Sequence, residues 1–319
     1  MPKTLGAFRA ALLIGWLMLT AAGLLYARIR SIPSWAAVPA LAAFLVEYPF
    51  YLVPAFPELR KRLSGAILPP FLILSVLASY VTCYAAVGHL QLTNALQVAA
   101  VPLAISLWYL VLPANMAVDL AFLALLGFLL LSGYYERVYV SFYPGLPIAI
   151  LGRLVLFRTA ALVLMLPRRI PETGYGFIPS GREWRIGLLH YLYFLPAAAC
   201  LALPLGTVRF ASPAPLWKTL GIFLAFLWVV ALFEEFVFRG VLQPLLADWT
   251  GNRAAGLLIA SLVFGAVHLW FRSFPNWRWA LLAGVLGWFC GRARNQANSI
   301  RAGMITHALA VATWRGFFV

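Results

Sequence analysis

Apolar runs of about 20 residues recur along this chain from one end to the other, beginning with "FRAALLIGWLMLTAAGLLYA" at 8–27. A helix rises about 1.5 Å per residue, so a run of about 20 crosses the roughly 30 Å hydrocarbon layer of a bilayer. Within that layer every backbone N–H and C=O must bond inside its own segment, which restricts such runs to helices. The expected fold is therefore all-α, a polytopic membrane bundle. Spans are predicted near 8–27, 34–55, 66–87, 95–113, 116–133, 145–167, 187–207, 217–241, 254–271, 279–291 and 301–318, roughly eleven in all. Composition agrees: 64% of residues are hydrophobic and 10% charged, against about 45–50% and about 25% in a soluble domain. The first run follows Lys3 and Arg9 and is longer than a signal-peptide core, so it is expected to be a retained helix. Arg153 and Arg158 interrupt 145–167, and 279–291 is the shortest run.

The net charge is +15, from 24 Lys and Arg against nine acids. No basic helix or aromatic–basic interleaving of the nucleic-acid-binding kind is present, so no nucleic-acid partner is expected. The basic residues fall mostly in short loops, where they orient helices and meet the lipid bilayer. Placing Arg60, Lys61 and Arg62 in the cytoplasm puts Arg168, Arg169, Arg182, Arg185, Arg253, Arg292 and Arg294 on the same side, with the N-terminus. The expected location is a bacterial inner membrane. Cys83, Cys200 and Cys290 lack CxxC spacing, which argues against a disulfide framework or zinc knuckle. "HLWFRSFPNWRWA", 268–280, reads as an interfacial hairpin with aromatics at headgroup depth. The polar stretch Arg168–Arg185 divides the chain into N-terminal helices, 1–185, and a C-terminal domain, 186–319.

Charge is costly in hydrocarbon, so each ionisable residue inside an apolar run needs a partner or a task. Three C-terminal spans carry such residues: Glu234, Glu235 and Arg239 on 217–241, His268 on 254–271 and His307 on 301–318. Glu235 and Arg239 stand at i and i+4 with the acid first, the favourable order for a helical ion pair. Glu234 lies about 100° around the helix from Glu235, so Arg239 cannot serve both equally well. An unpaired carboxylate beside two imidazoles can act as a general base on water. The same Glu234, His268 and His307 could instead hold zinc with an open position for water, although no HExxH is present. Glu47 and Asp119 also lie within apolar runs, with no partner evident, and read as structural; His89 and His190 read as packing histidines.

"EEFVFR" (234–239), "FGAVH" (264–268) and "HALAV" (307–311) resemble, in order and rough spacing, the EExxxR, FxxxH and HxxxN motifs of the CPBP family of CaaX-processing and bacteriocin-processing (Abi) intramembrane proteases. The resemblance covers about 217–319. It implies hydrolysis of a peptide bond near or within the membrane in a membrane-anchored or lipidated protein tail. By position, Glu234 would activate water with His268, Glu235 and Arg239 would complete the first motif, Phe264 would pack beside the second, and His307 would stabilise the oxyanion. The implied cofactor is either zinc or none, a glutamate mechanism. Val311 departs from the motif, standing where the family carries Asn; Thr306 and Trp314 are nearby substitute donors. Helices 1–185 would then form a substrate-recognition module, which would suit a hydrophobic C-terminal sorting segment. Three rivals are an inactive immunity or scaffold protein, a proton-coupled transporter, and a sorting transpeptidase using Cys200 or Cys290.

Overall fold

Helix boundaries lie where the sequence supplies side chains to close them. Asn115, Asn252, Asn276 and Ser299 each accept a backbone N–H of the turn they begin. Ser180 and Glu183 form a capping box: the serine hydroxyl accepts from the Glu183 amide, and the glutamate accepts from the Ser180 amide at 2.6 Å. Left-handed Gly251 (φ 63°) and Asn298 (φ 52°) terminate two helices.

The computed structural model describes residues 5–318, so Lys3 lies outside the described residues. The chain is helical, and no strand is present among the described residues. Two compact units are formed, Met1–Pro171 and Glu172–Val319. In the first are α1 (Leu5–Ile29), α2 (Ser34–Leu52), α3 (Leu68–Ala85), α4 (Leu92–Val111), α5 (Met116–Leu131) and α6 (Ala149–Met165). In the second are α7 (Gly181–Ala202), α8 (Leu216–Thr250), α9 (Arg253–Ala266), α10 (Trp277–Ala297) and α11 (Ile300–Phe317). Residues 172–180 pack with the second unit: Ile300 donates to the Thr173 carbonyl at 2.9 Å, and the Trp228 indole to the Phe177 carbonyl at 2.8 Å.

Among the described residues, seven helical stretches are long and apolar enough to cross a membrane, fewer than the eleven expected spans. They are α1, Ser34–Ala55, Gly65–Ala85, α4, α7, α8 and Arg253–Trp270. The rest differ for physical reasons. α5 is apolar but has 16 residues. α6 carries Arg153 and Arg158, α10 carries Arg278, Arg292 and Arg294, and α11 carries Arg301 and Arg315. α10 runs to 21 residues, longer than the apolar run 279–291, because its ends are polar.

Three acids of the first unit pair with arginines of the same unit. Glu47 on α2 and Arg158 on α6 are both fully buried and form an ion pair, and Ser79 on α3 donates to Glu47 Oε2 at 3.2 Å. Asp119 accepts from Arg168 Nε and Nη2, both at 2.7 Å, and from the Tyr109 hydroxyl at 2.8 Å. Arg153 pairs with Glu136. The two acids without an evident partner in sequence are thus tied to arginines 49 and 111 residues away.

Candidate active site

The site is built on α8, a single 35-residue helix with π-helical segments at Phe226–Val230 and Phe236–Leu242. Pro244 explains the second. It has no N–H to give, and its ring crowds the carbonyl one turn back, so the preceding turn widens. Such widened turns occur often at functional sites. Here one begins directly after Glu235.

Glu235 is fully buried and holds two partners on one oxygen. Arg239 Nη1 donates to Oε1 at 3.2 Å, and His307 Nδ1 lies 3.0 Å from the same atom. A carboxylate only accepts, so His307 Nδ1 carries the proton of that bond. The other face of the His307 ring edge, Nε2, is directed to Glu234 Oε2 at 3.8 Å. Glu234 is the less buried acid, its side chain 29% exposed, yet Oε2 is shielded and has no hydrogen-bond partner. One acid of the pair is therefore engaged and the other uncommitted.

Phe264 is the hub. Its ring is fully buried and lies 4.8 Å from the His268 ring and 5.7 Å from that of His307, edge-on to the latter. The Arg239 guanidinium sits 4.2 Å above it, an attraction strengthened by exclusion of water. His268 Nδ1 lies 2.8 Å from the Phe264 carbonyl and so donates to it, leaving Nε2 as an acceptor. No hydrogen bond or ion pair joins His268 to Glu234 among the described residues. The structure thus brings Glu234, Glu235, Arg239 and His307 into direct sequence of contact and attaches His268 through Phe264.

Two glycines let the charged groups in. A Cβ on Gly303 of α11 would lie 2.7 Å from Glu235 Oε2, and one on Gly287 of α10 would lie 2.9 Å from Arg239 Nη2. Neither was singled out in sequence, although Ala283, Gly287 and Gly291 repeat small residues at a four-residue interval, a sign of close helix approach. Gly303→Ala is expected to cost about 1–3 kcal/mol of stability, because the carboxylate cannot move without releasing Arg239 or His307; thermal unfolding in detergent measures it.

Cys290 of α10 is also buried here, and the ligand atoms of Glu235, Cys290 and His307 lie within 4.8 Å of one another. The set does not suit zinc, since the Glu235 oxygen already receives Arg239 and His307, and a cation would sit against the guanidinium. Glu234, His268 and His307 do not form such a mutual cluster among the described residues. Of the two substitute donors near Val311, Thr306 is committed, donating to the Gly187 carbonyl at 2.8 Å. Trp314 Nε1 is buried without a partner, packed against Trp279 and Phe271.

Residues 216–313 match the family model described as type II CAAX prenyl endopeptidase Rce1-like. No curated protein and no solved structure matches the chain.

Proposed function

We propose, from the match of residues 216–313 to the Rce1-like family model, that this multi-pass membrane protein hydrolyses a peptide bond in a membrane-anchored, lipidated protein tail, with Glu234 as general base. The match supports protease chemistry of the CaaX type; residue roles and substrate are our reading. The observation that carries it is the division of labour between adjacent acids. Glu235 is fixed through Oε1 between Arg239 and His307, whereas Glu234 makes no hydrogen bond among the described residues and its Oε2 lies 3.8 Å from His307 Nε2.

In the proposed reaction Glu234 takes a proton from water as the oxygen attacks the scissile carbonyl carbon. His268, with Nδ1 tied to the Phe264 carbonyl, offers Nε2 to accept the water's other hydrogen and so aims it. Charge then develops on the carbonyl oxygen, where His307 as the imidazolium, its Nδ1–H on Glu235, would stabilise it through the second proton on Nε2. The intermediate collapses by breaking the C–N bond, and the proton held by Glu234 passes to the leaving nitrogen. Glu235 and Arg239 act as positioning residues for the His307 ring. No step is routed through zinc. The N-terminal helices would serve recognition of the anchored substrate.

The test reconstitutes the full chain in liposomes with a farnesylated CaaX peptide and the same peptide without the lipid. Release of the residues beyond the modified cysteine, lost in His268→Ala and unaffected by a chelator, is expected. Cleavage equal in wild type and His268→Ala would overturn the assignment.

Val311 favours a second reading, a weakened member of the family kept for binding. One oxyanion donor accounts for about 10²–10³ in rate. Val311→Asn is therefore expected to raise cleavage by about tenfold or more, read as kcat on the same peptide. If neither wild type nor this variant cleaves while both bind the peptide, the binding role stands in place of catalysis.

A further inference from the structure

A cavity of about 590 Å³ in the second unit lies away from the acids, bounded by α7, α9 and α10. Its lining includes Arg253, Arg292, His190, Trp288, Tyr193 and Gln296, and none of Glu234, Glu235, Arg239, His268 or His307. Arg253 and Arg292 are exposed and form no ion pair among the described residues. Two cations without counter-charge at the rim of a bilayer protein call for an anion. His190 is 5% exposed, and its Nε2 donates to Gln296 Oε1 at 2.9 Å. Its Nδ1 is then a bare acceptor, and it is buried without a partner. An acceptor beside two arginines selects a ligand that carries a hydroxyl as well as negative charge, since an ammonium would be repelled. The flanks are apolar: Leu188, Leu189 and Leu192 on α7 and Leu258 and Leu262 on α9 all project outward. Trp288 and Tyr193 supply amphipathic rings of the type that sits at headgroup depth.

We propose that this cavity binds the headgroup of an anionic phospholipid bearing a free hydroxyl, with Arg253 and Arg292 on the phosphate, His190 Nδ1 accepting from the hydroxyl and the acyl chains along the exposed leucines of α7 and α9. The site is independent of the proteolytic reading.

Native mass spectrometry of the full chain released from detergent tests it with three probes: dioleoyl phosphatidylglycerol, dioleoylglycerol and glycerol 1-phosphate. The phosphatidylglycerol is expected to be retained in preference to both others. Retention should fall by on the order of tenfold or more in the Arg253→Gln/Arg292→Gln double variant and hold in Arg278→Gln, an exposed arginine elsewhere. Since the exchanged side chains are exposed, the double variant is expected to keep the wild-type thermal midpoint. Equal retention by the double variant would overturn the proposal, as would dioleoylglycerol binding as well as the phospholipid. Glycerol 1-phosphate binding as tightly as the lipid would make this a free-anion site and equally overturn it.

Discussion

Glu234→Gln is expected to lower cleavage of a lipidated peptide by about 10²–10⁴-fold, the range that general-base catalysis supplies, while leaving the thermal midpoint unchanged. The amide keeps the shape of the side chain and loses only the lone pair that takes the water's proton. No fold-supporting bond is lost with it, because Glu234 Oε2 has no hydrogen-bond partner. Glu235→Gln separates the two acids. That change weakens the contacts of Oε1 with Arg239 and His307 and leaves a buried guanidinium without its counter-charge, so stability falls along with activity. The measurement is kcat for the reconstituted peptide reaction alongside thermal unfolding of the same preparations. An active Glu234→Gln variant would transfer the base role elsewhere.

The largest expected loss of stability lies in the other unit. Arg158→Met leaves Glu47 charged and fully buried with only the Ser79 hydroxyl for company. Breaking a buried pair by removing one partner costs about 3–5 kcal/mol. Replacing both, as Glu47→Leu with Arg158→Met, removes the stranded charge and is expected to recover most of that loss. Denaturant unfolding in mixed micelles, followed by the aromatic signal, compares the single variants with the double. A single variant as stable as wild type would mean that the pair carries no net energy in this setting.

Much of the second unit was legible in sequence because its constraints are local. Glu235 and Arg239 stand one turn apart, so their pairing is read from spacing alone. Phe264 precedes His268 by one turn, so their contact follows from the helix itself. What escaped were the long-range contacts. Glu47 meets Arg158 from 111 residues away, and His307 meets Glu235 from 72. Apolar periodicity does not specify which faces of which helices meet, and membrane spans with little amphipathic contrast leave that open. The expected triad of Glu234, His268 and His307 omitted Glu235 from the ring's surroundings for the same reason. Arg158, Arg292 and Arg301 lie on helices that fall outside the seven long apolar stretches, because the bundle accepts those side chains through specific partners and polar ends rather than through hydropathy.

The bond behind His307 has a consequence for the direction of proton traffic. With Nδ1 anchored at 3.0 Å from Glu235, the imidazole is barred from turning over, so its remaining nitrogen always addresses the same space. A proton arriving there has a single doorway, and the neighbouring acid, backed by a guanidinium and a glycine, behaves as a latch that keeps that doorway facing the reacting groups.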